Sequence, residues 1–321
     1  MESSMDDLDR ALADALRING RAPFARIADV LGVSEQTVAR RYRRLRSAGI
    51  LRVVGGVDGA RLGYSSWTIR LRCTPDAATA IAAALARRPD TYWVHILSGG
   101  TEISCFIQAH TTEERDALLL EKLPRTTRVL AMTAHAMLRG YAAPSGWSGI
   151  ARLSAAQVEK LRPPQPEAAT GTTELTDPDQ ALLEILARDG RAGHADLAAA
   201  TGWSESTVRR RIDGLARAGI LRYELDISPE ALGFHAEARL WMTVRPTGLI
   251  AVAQAMANHP YVQFAAVTTG PTNLMVALAC PDSDALFDCV TGEIGSFEDV
   301  QTLETAPLIR TVKRTGAVLP R

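Results

Sequence analysis

The chain lacks most of what would mark it as an enzyme, a secreted module or a membrane protein. Its 321 residues include only 4 cysteines, Cys73, Cys105, Cys280 and Cys289, and none forms a Cys-x-x-Cys pair. That rules out a disulfide framework read from spacing and a thiolate-rich zinc knuckle. Two of these thiols fall on the apolar phase of alternating segments, which predicts buried cysteines in a reducing compartment. No apolar run reaches the length that spans a bilayer, so no membrane partner is expected. The opening "MESSMDDLDR" is acidic and lacks a basic-then-apolar leader pattern, pointing to the cytoplasm. The histidines (His95, His110, His135, His194, His235 and His259) show no metal-ligand spacing. No G-x-S-x-G, P-loop or dinucleotide glycine pattern stands out, so no catalytic residue, cofactor or metal is expected.

An excess of charge is also missing, with 36 basic against 36 acidic residues. A surface that binds nucleic acid everywhere is thereby excluded, but a local patch is not. Only three of the basic residues are lysines, so arginine supplies nearly all the positive charge. Six arginines, Arg40, Arg41, Arg43, Arg44, Arg46 and Arg52, face one acid, Glu35, between positions 33 and 52. Hydrophobic residues make up 46%, enough for several modest cores, and the length suits two to four domains.

The basic stretch occurs twice. "SEQTVARRYRRLRSAGILR" (34–52) and "SESTVRRRIDGLARAGILR" (204–222) lie 170 positions apart, and the match extends upstream through a Gly-Arg-Ala shared by both copies. Leu8, Leu12 and Leu16, and Leu182 with Leu186, form helical apolar stripes. Gly20 and Gly190 suit a left-handed cap on those helices. A second helix buries Ile27, Val30 and Leu31, or Leu197. Ser34 and Ser204 cap a third, which buries Val38, Tyr42 and Leu45, or Val208, Ile212 and Leu215, and stops at Gly49 or Gly219. "ILRVVG" and "ILRYEL" then look like strands. The pattern predicts two helix-turn-helix units, each followed by a strand-like wing.

Downstream the period changes to two. Trp67, Ile69, Leu71 and Cys73 alternate with polar residues, as do Ala238, Leu240, Met242 and Val244 with theirs. Each run leads into a helix, two strands around a glycine turn, another helix and a last strand. That βαββαβ order predicts a ferredoxin-like sandwich. The fold class is therefore α+β, with two copies of a winged helix-turn-helix plus a ferredoxin-like module. The expected divisions are helix-turn-helix domains at 1–58 and 177–228, ferredoxin-like modules at 62–143 and 232–316, and a linker at 144–176. Within the linker, Ser154 and Gln157 predict a capping box on one short helix ending near Leu161, with flexible chain from Arg162 to Thr176.

With both copies in view, each half resembles a complete member of the Lrp/AsnC family, the leucine-responsive and feast/famine transcriptional regulators. The residues that carry the resemblance are "GRAPFARIADVLGVSEQTVARRYRRLRSAGIL", its second copy, the glycine-turn hairpins and the closing "TAPLIRTVKR". The resemblance implies a bacterial, cytoplasmic transcriptional regulator that binds double-stranded DNA and self-associates through its ferredoxin-like modules. Fusion of the two copies departs from the family's usual pattern.

On a helix with Val38 inward, Gln36, Arg40, Arg43, Arg44 and Ser47 face outward. Arginine pairs bidentately with guanine and Gln with adenine, while flanking groups hold phosphates. The candidate DNA-binding set is Ser34, Gln36, Thr37, Arg40, Arg41, Arg43 and Arg44 in the first copy. In the second it is Ser206, Thr207, Arg209, Arg210, Arg211 and Arg217. Arg41 lies beside the core stripe and is expected to reach a phosphate or lie along the surface. Asp213 and Gly214 interrupt the second face, which predicts weaker binding there and an imperfect inverted repeat as operator.

The hairpin turns form the candidate effector site, with Ser98, Gly99, Gly100, Thr101 and Glu102 in one copy and Thr269, Gly270, Thr272 and Asn273 in the other. Glycine exposes backbone N–H groups to a carboxylate, and Glu102 offers a charge to an amine. Similarity to the family implies a small effector, often an amino acid, at this place. One enzyme class shares the architecture: siroheme decarboxylases are built from similar modules and require His and Arg aimed at a tetrapyrrole. His95, whose counterpart is Ala266, is the candidate for that alternative.

Overall fold

The computed structural model describes residues 5–123, 126, 128–143, 146–164, 166 and 175–319. Most of the segment expected to be a flexible linker, Arg162 to Thr176, lies outside them. The first copy runs α1 (Asp7–Ile18), α2 (Phe24–Leu31), α3 (Glu35–Ser47), β1 (Leu51–Val57), β2 (Ser65–Cys73), α4 (Pro75–Ala86), β3 (Thr91–Leu97), β4 (Glu102–Ala109), α5 (Thr112–Asp116) and β5 (Val129–Ala142). The short helix α6 (Ala155–Leu161) follows, with the Ser154–Gln157 capping box in place. The second copy repeats the order as α7 (Asp177–Arg188), α8 (His194–Thr201), α9 (Glu205–Arg217), β6 (Leu221–Ile227), β7 (Ala236–Val244), α10 (Leu249–Asn258), β8 (Val262–Thr268), β9 (Leu274–Cys280), α11 (Ser283–Asp288) and β10 (Val300–Arg314), closed by β11 (Ala317–Val318).

The chain forms two compact units, and neither is one copy. One unit combines 1–63 with 150–232, and the other combines 64–149 with 233–321. Like modules have paired with like across the duplication.

In the first unit, Leu12, Leu16, Ile27, Val38 and Leu45 are buried in one helix-turn-helix, and Leu182, Leu186, Leu197, Val208 and Leu215 in the other. The strands after them are not free wings. β1 pairs antiparallel with β6, from Leu51 opposite Ile227 to Val57 opposite Leu221. An isolated strand leaves its N–H and C=O groups unpaired, and each copy supplies the partner the other needs. Gly20 and Gly190 also differ from expectation, because neither adopts positive φ. A Cβ on Gly20 would meet Val53 Cγ1 at 2.7 Å, and one on Gly190 would meet the Val54 carbonyl carbon at 2.9 Å. These glycines let the helix ends approach the ribbon, whereas Gly49 and Gly219, at φ +69° and +70°, do make the left-handed stop. Helix α6 docks on the first copy, where buried Asp14 accepts the N–H groups of Arg152 (2.7 Å) and Leu153 (2.9 Å).

In the second unit, each module has strand order 4-1-3-2 by position along the motif, as a ferredoxin-like sandwich requires. The first half of β5 pairs with β2, and its second half crosses to β8. Likewise β10 begins on β7 and continues on β3. These reciprocal crossings join the two modules into one sheet that closes on itself. Separate apolar cores lie beneath the helices of each module, around Ile69, Leu71 and Ile103 in one and Leu240, Val276 and Leu278 in the other. All four cysteines are buried, and burial pushes the Cys105 and Cys280 thiols up to about 12.

Candidate functional site

Helix α3 starts where Ser34 Oγ accepts the Thr37 N–H at 3.1 Å, and α9 starts with the same bond from Thr207 to Ser204 at 3.2 Å. These caps satisfy amides that the first turn leaves unpaired. Ser34, Gln36, Arg40, Arg43 and Arg44 stand exposed on α3, with Thr37 and Arg41 half-buried. On α9, Ser206, Arg209, Arg210 and Arg217 are exposed, and Thr207 and Arg211 are half-buried. Ser206, Arg209, Arg210, Asp213 and Arg217 border an open recess of about 340 Å³.

Three of the expected DNA contacts have other partners. Arg41 Nη1 donates to Asp6 Oδ2 at 2.6 Å and to Asp9 Oδ1 at 2.8 Å, and Arg44 also bonds to Asp9. In the second copy, Arg211 grips Asp179 through Nε (2.5 Å) and Nη2 (2.7 Å). Asp9 and Asp179 are buried acids on the first helix of each copy. Arg41 and Arg211 therefore belong to a clamp that fixes the third helix against the first, and Arg44 is shared between that clamp and the surface. The bond from Arg41 holds the exposed Asp6 carboxyl below its ordinary value. Burial pushes Asp179 up, but the bonds from Arg211 and Thr176 outweigh it and leave that carboxyl lowered. The sequence signal of this clamp is the repetition of Asp at the same helix position in both copies, Asp9 and Asp179.

The glycine turns lie where the modules meet. Ser98, Gly99 and Gly100 all have positive φ, and Thr101 Oγ1 closes the turn on Ser98 O at 2.8 Å. Across the second turn, Thr269 N–H donates to Ala136 O on β5 at 2.9 Å, and Thr269 Oγ1 accepts the Ala136 N–H at 3.0 Å. Gly270 (φ +98°) sits so close to His135 that a Cβ would collide with its ring, while Thr272 O accepts from Thr268 Oγ1 at 3.0 Å. The side chains expected to read an amine are occupied. Buried Glu102 is held by Arg70, whose Nη2 lies 3.0 Å from Oε2. Asn273 bridges the backbone of Val244, accepting its N–H at 2.9 Å and donating to its carbonyl at 2.8 Å.

Two further polar groups stand in the ferredoxin-like unit, one at the expected His95 and one that the spacing of the histidines does not suggest. His95 is buried, with Nε2 2.7 Å from Arg239 Nη2 and Nδ1 3.1 Å from Thr311 Oγ1. His259, Cys289 and Glu293 also converge, their ligand atoms all within 4.8 Å of one another. His259 Nδ1 accepts the Tyr261 N–H at 3.0 Å, which leaves the ring proton on Nε2 for Glu293. Both ring nitrogens of His259 are thus engaged, one by Tyr261 and one by Glu293, with the Cys289 thiol beside them.

Helix-turn-helix domains paired in one unit, and ferredoxin-like modules closed into one sheet in the other, are the parts from which a class of DNA-binding regulators is built. Residues 5–46 and 175–216 match the AsnC-type helix-turn-helix domain, and residues 237–318 match the Lrp/AsnC ligand binding domain. Together these matches span over half the chain, which belongs to the Lrp/AsnC family. Among curated relatives, the HTH-type transcriptional regulator LrpA of Pyrococcus horikoshii is 28% identical over 136 residues, 42% of this chain and 96% of its own length. The regulator FL11 of the same organism is 30% identical over 142 residues, 44% of this chain and 93% of its own. These relatives are archaeal and lend no support to a bacterial source. The siroheme decarboxylase NirDL, solved with an iron-uroporphyrin III analogue, aligns over 97% of this chain and 93% of its own with TM-score 0.62 at 15% identity. That likeness establishes a shared fold across the whole chain.

Proposed function

We propose that the protein is a sequence-specific transcriptional regulator that acts in the cytoplasm and reads both halves of an operator with one chain. The observation that carries this reading is the presence of two capped, basic third helices in a single compact unit. Gln36, Arg40 and Arg43 read bases or phosphates in the first half-site, with Ser34, Thr37 and Arg44 on the backbone. Arg209, Arg210 and Arg217, with Ser206 and Thr207, serve the second. There the acidic Asp213 among the arginines weakens the grip on phosphate. Self-association beyond the chain and response to an amino-acid effector follow from resemblance to the family. With Glu102 and Asn273 occupied, and the Thr101 and Thr269 N–H groups bonded to the Ser98 and Ala136 carbonyls, an effector would meet the exposed backbone at Gly99 and Gly270.

Salt-titrated gel shift on the protein's own upstream DNA tests this reading. Wild type should bind with steep salt dependence, and Arg40→Ala plus Arg43→Ala should lose about two contacts' worth of salt slope and at least ten-fold in affinity. Binding that ignores salt and both substitutions overturns it.

A second reading, an enzyme on the siroheme decarboxylase architecture, is favoured by one observation: buried His95 in contact with Arg239. Titration with siroheme decides it, because a new visible absorbance lost in His95→Ala would support the enzyme and an unchanged spectrum would remove it.

A further inference from the structure

Arg239 presents a problem of charge. It lies on β7 with 7% of its surface exposed, beside His95 with 4%. Burial pushes its guanidinium down to about 10, more strongly than the charge of Glu237 raises it, so it stays protonated at neutral pH. Its one side-chain hydrogen bond among the described residues goes to His95, whose ring stays neutral because burial, then Arg239 and Arg314, hold its pKa well below the ordinary value. Nη1 of Arg239 is buried and has no partner among the described residues. A buried charge that is neither paired nor fully hydrogen-bonded costs several kcal/mol.

The surroundings supply a second donor. His95 is paired in register with Ser104 on β4 and with Thr311 on β10, which places the three on one face of the sheet. Thr311 is bonded to His95. Ser104 is buried and makes no side-chain hydrogen bond among the described residues. Two donors, a guanidinium N–H and a hydroxyl, thus flank the same ring without acceptors of their own.

The duplication provides an internal comparison. The equivalent register in the other half aligns Ala266 with Met275 and Gly140, and Thr68 stands in the place of Arg239. That position is closed, with Thr68 Oγ1 against Met275 Sδ at 3.4 Å. One half has an apolar plug where the other has a cation and two polar neighbours. Packing alone, satisfied in the first way, does not require the second.

We infer that Arg239, His95 and Ser104 form a buried site for one small carboxylate per chain, distinct from the glycine turns. One carboxylate oxygen accepts from Arg239 Nη1 and the other from the Ser104 hydroxyl, while His95 fixes the guanidinium through Nη2. Each of the three residues is less than a tenth exposed, which limits the ligand to a small molecule. The site stands whether or not the chain binds DNA, and it requires no tetrapyrrole.

The test is thermal unfolding of the full chain during titration with sodium acetate, against sodium chloride at matched ionic strength. Acetate should raise the melting temperature saturably, by roughly 3 °C at ten times its dissociation constant, and chloride should not. Arg239→Gln should lose the acetate response while melting no lower than ligand-free wild type, because the unpaired charge is gone. A wild type indifferent to acetate overturns the inference, as does an equal response to chloride. An Arg239→Gln protein that folds and still responds to acetate also overturns it.

Discussion

Arg191 reaches from the second copy to the carbonyl oxygen of Gly20 in the first, at 2.6 Å. It also bonds to Ala22 O (3.1 and 3.0 Å) and stacks over Phe24 with 4.2 Å to the ring centroid. Arg21 returns the contact, donating to Gly190 O at 3.0 Å and Ala192 O at 3.2 Å. The Gly-Arg-Ala motif is thus repeated because each arginine closes the other copy's turn. Arg191→Ala should destabilise the helix-turn-helix unit by about 3 kcal/mol and Arg21→Ala by about half as much, since Arg21's hydrogen bonds are longer and its ring contact, with Tyr223 at 5.6 Å, is more distant. Urea denaturation followed by circular dichroism measures both, and equal losses would contradict the ranking.

Structure and DNA contact separate within one helix face. Arg211→Ala leaves the buried Asp179 carboxylate unpaired and should cost about 3 kcal/mol of stability. Arg40→Ala, at an exposed position, should change stability by less than about 0.5 kcal/mol while weakening DNA binding. A melting curve and a gel shift on each variant check this. The reverse pattern would return Arg211 to the DNA-binding set.

Much of the fold was legible because it is local. Helical stripes at Leu12 and Leu16, caps at Ser34 and Ser204, and alternation from Trp67 to Cys73 each leave a short-range pattern. What local pattern does not reveal is which residues distant in the chain meet, whether between the copies or within one. Nothing in "ILRVVG" reveals that its partner is "ILRYEL", because a strand's sequence specifies which face is apolar and not which strand lies beside it. The position of Arg41 beside the core stripe does not reveal its partners, Asp6 and Asp9, which lie more than thirty positions earlier in the chain. Glu102 looked free for a ligand because Arg70 lies 32 positions earlier in the chain.

Fusion also allows unlike residues to meet at equivalent positions. Arg70 of the first copy lies over the ring of its counterpart Trp241 in the second, 4.0 Å from the centroid, and donates to Glu304 at 2.7 Å. A homodimer would place two arginines or two tryptophans there. Trp241→Arg restores that likeness and should destabilise the closed sheet by roughly 3 kcal/mol through charge repulsion and lost burial. Trp241→Phe should cost under half as much. Thermal melts of the two variants compare them, and equal losses would show that bulk alone matters.

Lys313 gives the protein a pH dependence of definite sign. Its ammonium group is buried, donating to Arg88 O at 2.6 Å, and burial pushes it from 10.5 down to about 8. Between those values the unfolded chain keeps a proton that the folded chain has released, so stability rises with pH. Below about pH 8 both states hold the proton and this contribution to the slope disappears. Wild type minus Lys313→Met should gain on the order of 2 kcal/mol in unfolding free energy from pH 8 to pH 10. A flat difference would contradict the assignment.

The most direct test of the paired-reader account is to change the spacing of the operator halves. Footprinting first locates the two half-sites, and about five base pairs, half a helical turn, are then inserted between them. Two recognition helices tied together by the β1–β6 ribbon and the arginine exchange should be unable to follow, so affinity should fall at least ten-fold. Binding unchanged by the insertion would contradict the claim that one chain reads both halves at a fixed separation.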